Sequence, residues 1–491
     1  MTRFLTIPRP TEEPITADRD SGAYGFSRRN LLGGILAGVA VTAVVPSVAN
    51  AAIIPSRKGG ATSMADQPFE AVDVVKIGLI GLGNRGMGML DGWVDVPGTA
   101  VTAVCDIRAD RAKRAADRVA GKGKARPREY GGGDGSFQKM LDTEELDLVY
   151  IATPWEFHHA HGKAALLAGA HAAIELPIAT ELDELWDLVD TSERTRKHLF
   201  LAENCSYGRN ELAMLKMAHE GVFGDVTSGH GGYLHDLRSL LFADGYYTDD
   251  WRRLWHTRST ASFYPMHGLA PIAATMDINR GDRLDTLTAT ATAARGLADY
   301  RERFVPRDHR SWKEEYINGD LVTCMITTAN GRTIRAEHNV SQPRPYSRIN
   351  TLEGSRGIFE DYVGADSTGA RIYAEPYHGG DTWRGASAMR TEFDHWLWKD
   401  LEGPAAGGGH GGMDYILQWR IVQQMRAGLV PDIDVYDSAA WCAPVPLSVK
   451  SLEKGGKPVE VPDFTRGEWK KLRLGLDSVR SAMPAVVRPI S

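Results

Sequence analysis

Ala71-Val72-Asp73-Val74-Val75-Lys76-Ile77-Gly78-Leu79-Ile80 runs straight into Gly81-Leu82-Gly83-Asn84-Arg85-Gly86, and Met87 to Val94 can continue as a helix. The first stretch is a β-branched run of the buried-strand kind. A Gly-x-Gly-x-x-Gly turn set between such a strand and a helix is the context that gives the motif meaning as a dinucleotide-binding loop. Gly81 permits the tight turn, Gly83 lets the backbone approach a pyrophosphate, and Gly86 lets the helix pack on the strand. The helix N-terminus then meets the phosphate charge. A second strand, Val101 to Cys105, ends in Asp106, 20 residues after Gly86. A carboxylate there is placed to accept from both ribose hydroxyls, which favours NAD; Arg108 nearby leaves NADP open. The run Leu146 to Thr153 predicts another buried strand, with Pro154-Trp155-Glu156-Phe157-His158 at the carboxyl edge of the sheet, where ligands bind in open α/β folds. A helix over 159–168 and a strand at Ala172-Ala173-Ile174 lead to Glu175-Leu176-Pro177. The expected fold is therefore α/β, an N-terminal Rossmann doubly wound sheet. Its cofactor contacts are expected from Gly81, Gly83, Asn84, Arg85, Gly86, Asp106, Thr153, Trp155, Glu156, Phe157 and His158.

The rest of the chain bounds this reading. With 491 residues, a net charge of −6, 43% hydrophobic and 24% charged residues, it has the composition of a soluble globular protein of two to three domains of about 150 residues. No basic field exists to neutralise phosphates, so nucleic acid is not an expected partner. Cys105, Cys205, Cys324 and Cys442 are too scattered for a disulfide scaffold or a paired-cysteine zinc site. His158, His159 and His161 lack a suitably spaced carboxylate or cysteine, so no metal is expected. Near the N-terminus, Ser27-Arg28-Arg29-Asn30-Leu31-Leu32 precedes an uncharged run to Val45, and Ala49-Asn50-Ala51 is a small-x-small cleavage site. This reads as a twin-arginine signal peptide over 1–51, too short for a comfortable membrane span. The expected address is periplasmic or extracellular, with no membrane span after signal removal. That route moves folded proteins, which fits a cofactor loaded before export. Residues 52–70 read as a linker, 71–200 as the Rossmann domain, 201–440 as an α+β substrate and oligomerisation domain, and 441–491 as a segment packing back on the first domain.

The order of motifs, from the Gly-rich turn through Asp106 and Thr153-Pro154 with His158 to Glu-x-Pro, resembles the Gfo/Idh/MocA oxidoreductase-like family. In its dehydrogenases the last motif is Glu-Lys-Pro and the lysine is the usual catalytic residue. Leu176 stands there instead, and leucine can neither donate nor accept a proton. Further motifs are Ala202-Glu203-Asn204-Cys205-Ser206-Tyr207, Gly232-Tyr233-Leu234-His235-Asp236-Leu237-Arg238, Tyr264-Pro265-Met266-His267-Gly268-Leu269-Ala270-Pro271, Ile278-Asn279-Arg280-Gly281-Asp282 and His410-Gly411-Gly412-Met413-Asp414. From about residue 72 to about 470 the set resembles glycoside hydrolase family 109, the NAD-dependent α-N-acetylgalactosaminidases. The resemblance implies hydrolysis by transient oxidation at C3 of the sugar, elimination across C2, water addition and re-reduction, with NAD returned unchanged. No carboxylate pair of the ordinary glycosidase kind is then needed.

That chemistry asks for a group to take the C3 hydroxyl proton, a base for C2 and help for the leaving oxygen. His and Tyr serve when their surroundings tune them. On the resemblance, His267 is expected at the C3 hydroxyl and Tyr207 at C2, with Tyr264 a third catalytic residue. Tyr233, Arg252, Tyr264, His267, Tyr346 and Glu175 are expected to bind the sugar, and the same resemblance implies cofactor contacts at Glu175, Leu176 and Asn204. His235 is equally readable as structural, held by Asp236 or Arg238, and His410 has no assigned role. Cys205 reads as a packed residue rather than a nucleophile.

From about residue 225, strand-like runs follow one another: 226–233, 286–293, 320–328, 332–339, 347–353 and 357–362. They predict a C-terminal α+β domain with an open, mostly antiparallel sheet, one face on helices. In the family such a sheet often mediates dimers or tetramers, so a homo-oligomer such as a dimer stays open. Trp251, Trp255 and Trp312 fit sugar stacking and plain packing about equally. Two other functions compete with the glycosidase: a periplasmic NAD(P)-dependent sugar oxidoreductase, which Leu176 disfavours, and a non-catalytic sugar-binding relative, which Tyr207 and His267 disfavour.

Overall fold

A computed structural model of the chain describes residues 55–364, 366–375, 380–473 and 475–476; the signal-peptide reading lies outside them. The first sheet is parallel, with strand order β3-β2-β1-β4-β5-β6. Its strands are β1 (Val75–Ile80), β2 (Thr99–Asp106), β3 (Arg128–Gly131), β4 (Leu148–Ile151), β5 (His171–Ile174) and β6 (Leu199–Leu201). The crossovers carry α1 (Asn84–Asp95), α2 (Ala109–Gly121), α3 (Ser136–Thr143), α4 (His158–Leu167) and α5 (Leu182–Thr195). β4 and β5 are buried at every position, as strands covered on both faces must be. The expected strand–turn–helix reading around Gly81–Gly86 is what forms.

After α6 (Arg209–His219) comes a nine-stranded sheet, order β14-β13-β12-β11-β7-β10-β9-β8-β15. Its members are β7 (Val226–Leu234), β8 (Leu284–Ala291), β9 (Val322–Thr328), β10 (Thr333–Asn339), β11 (Thr351–Gly354), β12 (Gly357–Glu360), β13 (Arg371–Ala374), β14 (Arg384–Gly385) and β15 (Val459–Glu460). Every pairing is antiparallel except β7 with β10. The connection from β7 to β8 carries α7 (Arg238–Leu241), α8 (Trp251–Arg258) and α9 (Met266–Thr275). α9 lies on β7, closely enough that a Cβ at Gly268 would meet the Gly232 nitrogen at 1.8 Å. One expected strand is shorter than its sequence run. Over 347–353 only a bridge at Ser347 and then β11 form, because Ile349 and Asn350 take left-handed conformations (φ 68° and 47°) that interrupt the pleat.

The later helices are α10 (Gly296–Phe304), α11 (Ser387–Glu392), α12 (Trp396–Ala405), α13 (Met413–Ala427), α14 (Val435–Cys442) and α15 (Pro444–Glu453). Two expected boundaries are corrected here. The chain returns to the first domain at α13, not at 441: α13 lies against α1 and β1, and α14 against α5 and β6. α13 is buried on nearly all sides, from Ile416 to Met425, which marks a helix inside a core rather than on a surface. α15 and β15 instead pack on β8 of the second sheet. Nor are residues 55–70 a loose linker. Phe69 is 4% exposed and wedges against His171, His198 and Phe200, while Arg57 pairs with Glu193 and Glu468. One apolar core therefore runs through both sheets. Among the described residues no helix is long and apolar enough to cross a membrane.

Candidate active site

The carboxyl ends of β1, β4 and β5 face α8, α9 and the end of β7 across a cleft of about 410 Å³. Asn84, Arg85, Thr153, Trp155, His158, Glu175, Leu176, Asn204, Tyr233, Arg252, Tyr264 and His267 all reach it, which brings together twelve of the expected residues. A larger cavity of about 530 Å³ lies elsewhere, beside Arg280 and Asp432. The smaller cleft is the candidate site, because convergent polar groups at the edge of an α/β sheet weigh more than volume.

The cofactor side is built by the glycine turn. Gly81 has φ +90°, and a Cβ there would fall 2.7 Å from the Ala152 carbonyl. A Cβ at Gly86 would stand 1.9 Å from the Gly81 oxygen, so only glycine lets α1 sit this close to β1. Above Gly83 there is open space, the nearest atom to a built Cβ being Arg111 Nη1 at 3.9 Å. No side chain caps α1. An open, uncapped helix N-terminus is what a pyrophosphate needs, so the residues fit NAD. Asp106 lies beside the turn, its Oδ2 accepting from the Leu82 amide at 2.8 Å and its Oδ1 from the Arg108 amide at 2.9 Å.

Arg85 ties the two sides together. Its Nε donates to Glu175 Oε1 at 2.7 Å, and its two terminal nitrogens donate to Asp414 at 2.8 and 3.1 Å. Tyr150 also donates to Glu175 Oε1, at 2.7 Å. Asp414 further accepts from Asn204 Nδ2 at 2.7 Å and lies 2.8 Å from His410 Nδ1. Burial works to raise Asp414, but the His410 hydrogen bond and the Arg85 cation outweigh it and hold its carboxyl well below the usual range. His410 has φ 51° in its glycine loop, and its side chain is 56% exposed at the cleft mouth. The His-Gly-Gly-Met-Asp motif, without a role from sequence, is thus the second domain's grip on the glycine turn. The i, i+4 spacing of His410 and Asp414 at a helix start was the signal that could have revealed it.

The sugar side is aromatic with one buried cation. Tyr264 and Tyr233 present their rings to His267 at 4.9 and 5.2 Å. The Arg252 guanidinium lies 5.2 Å from the Trp155 ring, 5.6 Å from Tyr247 and 5.0 Å from Tyr264. Its Nη2 is buried without a hydrogen-bond partner, a donor left for a ligand. Burial pushes the Tyr233 phenol up to about 12, with Arg252 opposing; its hydroxyl lies 3.1 Å from His235 Nδ1. His267 Nδ1 lies 2.7 Å from Glu203 Oε1, a partner that sequence reading did not assign.

Besides Gly81, Gly83, Gly86 and Asp106 at the glycine turn, four expected residues do not line the cleft. Tyr207 is buried with its hydroxyl donating to Asp432 Oδ2 at 3.2 Å, in a network with Arg420, so it is corrected from base to structural anchor. Burial next to Asp432 pushes its phenol well above the ordinary value. Glu156 turns to Trp255 and Arg258 of α8. Phe157 is 48% exposed and stacks on His161. Tyr346 stands behind Tyr233 and His235, at 6.0 and 5.0 Å between rings, its hydroxyl taken by Arg348 at 3.2 Å.

The three clustered histidines diverge. His158 sits between the Pro177 and Thr153 carbonyl oxygens at 2.6 and 2.7 Å, His159 pairs with Asp187, and His161 with Thr153. Glu203, Cys205 and His267 place ligand-type atoms within 4.8 Å of one another. Burial keeps the Cys205 thiol well above its ordinary pKa, and Glu203 and His267 already bond each other.

Known proteins match this arrangement. Residues 207–471 match the family described as Glycosyl hydrolase 109, C-terminal domain, and residues 75–203 the Oxidoreductase family, NAD-binding Rossmann fold. A glycosyl hydrolase family 109 protein of Streptomyces coelicolor is 70% identical over 462 residues, 93% of this chain and 98% of its own. A second, from Saccharopolyspora erythraea, is 48% identical over 95% of this chain and all of its own length. Among solved structures, a levoglucosan dehydrogenase in complex with NADH superposes with a TM-score of 0.60 at 18% identity, over 79% of this chain and 99% of its own. An NAD-binding oxidoreductase from Klebsiella pneumoniae gives 0.58 at 16%, over 79% and 99%. The last two speak for the fold alone. The chain belongs to glycosyl hydrolase family 109, a glycoside hydrolase built on an NAD-binding Rossmann domain of the Gfo/Idh/MocA oxidoreductase type.

Proposed function

We propose that the chain hydrolyses terminal α-N-acetylgalactosamine from glycans by a redox-neutral route. The observation that carries this is position 176. Leu176, 1% exposed, sits in the cleft beside Glu175, where the dehydrogenases that the sequence resembles carry their catalytic lysine. The proton-transfer groups lie on the other wall instead. NAD bound on the glycine turn would supply the place where a hydride is parked and returned within one cycle. Arg85, Asn84 and Glu175 would fix its inner end, and Asp106 its ribose. An exported enzyme without access to a cytoplasmic NAD pool needs such a closed cycle. Residues 27–51 support export by the twin-arginine route.

The chain's own groups divide the work. Arg252 offers its free Nη2 to the sugar's carbonyl or hydroxyl oxygens. His267 takes the proton of the C3 hydroxyl on Nε2, and gives it back on re-reduction. Tyr233 takes over the C2 role expected of Tyr207: its hydroxyl passes its own proton to His235 Nδ1, 3.1 Å away, as it takes the one from C2, with Tyr264 completing the pocket. His410, held at Nδ1 by Asp414, protonates the departing oxygen at the mouth of the cleft. General acid–base groups placed this way contribute roughly 10²–10⁴-fold each.

Purified protein assayed on p-nitrophenyl α- and β-N-acetylgalactosaminides, without added NAD, tests the reading. Nitrophenol release with no build-up of reduced nicotinamide supports it, and the preferred anomer follows. Reduced nicotinamide growing with free sugars, and no release, would make the protein a sugar oxidoreductase instead.

A further inference from the structure

Glu203 follows β6 and accepts the Cys205 amide on Oε1 at 2.9 Å, capping the single turn Asn204–Tyr207. The same oxygen lies 2.7 Å from His267 Nδ1. The residue is 0% exposed, and its Oε2 is buried with no hydrogen-bond partner. Among the described residues its one ion-pair partner is His267. Capping alone does not explain this choice. Ser or Asn would cap the turn, and neither demands that a full negative charge be buried with one oxygen unbonded. What a glutamate adds is the reach to His267.

We propose that Glu203 is the positioning residue of the site: its carboxylate holds His267 as the Nδ1–H tautomer and leaves the Nε2 lone pair for the sugar hydroxyl. This rests on the reading of His267 as the group that takes that proton. An ionised carboxylate can only accept, so the bonded ring nitrogen carries the hydrogen and the other is a base. When the sugar O–H bond breaks, its proton forms a bond to Nε2, and the imidazolium charge arises next to the carboxylate. On the return step the same proton goes back to the sugar oxygen. The logic is that of a buried acid behind a catalytic histidine, here with a Glu from the first sheet and a His from the second domain. The other groups facing the ring do not duplicate it. Tyr233 and Tyr264 meet it edge-on, Cys205 is a protonated thiol, and Glu175, Arg252, His235 and His410 line the cleft.

Two measurements test the proposal. In the full-length protein labelled with ¹⁵N-histidine, His267 (assigned by its loss in His267→Ala) should show a protonated Nδ1 and an unprotonated Nε2 at neutral pH. The opposite tautomer overturns the proposal, whatever the reaction proves to be. In Glu203→Gln, which keeps an acceptor for Nδ1–H but removes the charge, kcat should fall at least about 30-fold, with KM changed less than about threefold. A loss carried mainly by KM, or a kcat within about threefold of wild type, would mean a merely structural role and overturn the proposal. If Glu203→Gln does not fold, the tautomer decides alone. If wild-type protein releases no nitrophenol, the function above fails and the tautomer still tests Glu203.

Discussion

The two walls of the cleft are built in different ways. The cofactor wall is serial. Gly81 to Gly86, Thr153 to His158 and Glu175 follow three parallel strands in turn, each at the same edge of the sheet. The sugar wall is assembled from pieces that meet only in the folded chain: Tyr233 from β7, Arg252 from α8, His267 from α9 and His410 from the loop before α13. A parallel sheet turns sequence order into spatial order, because right-handed crossovers leave few other arrangements. The second sheet does not: β7 pairs with β10 on one side and β11 on the other.

The sharpest way to separate the walls is His267→Ala. Turnover of the aryl glycoside should fall about 10²–10⁴-fold while the purified protein keeps its NAD, read by absorbance after denaturation. Loss within about tenfold, or about 1.4 kcal/mol of barrier, would remove His267 from its role. Arg85→Met attacks the seam. It strands the Glu175 and Asp414 carboxylates without their shared cation, so stability should drop by about 3 kcal/mol and NAD retention with it. Denaturant unfolding with unchanged midpoint would show that the walls stand independently.

The second domain carries a pH signature of its own, away from the cleft lining. Asp361 is pushed up to about 6, first by burial and then by Glu211. A carboxyl whose folded pKa is raised binds its proton more tightly in the folded state, so stability is lost as pH rises from the ordinary carboxylate range through about 6. Asp361→Asn should therefore raise thermal stability at pH 8 by about 1–2 kcal/mol and leave it unchanged near pH 3. The smallest effect is expected from Tyr207→Phe. It removes one hydrogen bond to Asp432, worth about 1 kcal/mol, and should leave kcat within about threefold. A loss of catalysis without loss of stability would return Tyr207 to the site.

These cases also mark what a sequence discloses. Four of the six parallel strands and the turn were readable because a strand run and a glycine pattern are local facts; β3 and β6, four and three residues long, are runs too short to read, and the residues of the sugar wall came from the family resemblance. Tyr207 was misread because its motif lies next to a true cleft residue, Asn204, while which way a phenol turns depends on Asp432, 225 residues on. Glu156 and Phe157 were misread the same way: one turn starting at Trp155 sends Trp155 and His158 inward and those two outward. The early return of the chain at α13 escaped notice because a helix buried all round has no periodic face to read.

The Arg85 bridge has a thermodynamic consequence. One guanidinium spans a carboxylate of the cofactor wall and the aspartate that holds His410. Any ligand that binds better when this bridge is formed shifts it for the other ligand as well. Linkage then requires the exchange to be mutual: by whatever factor bound NAD tightens the protein's hold on the sugar, bound sugar tightens its hold on NAD. In that case the enzyme is least willing to lose its cofactor at the moment it holds substrate.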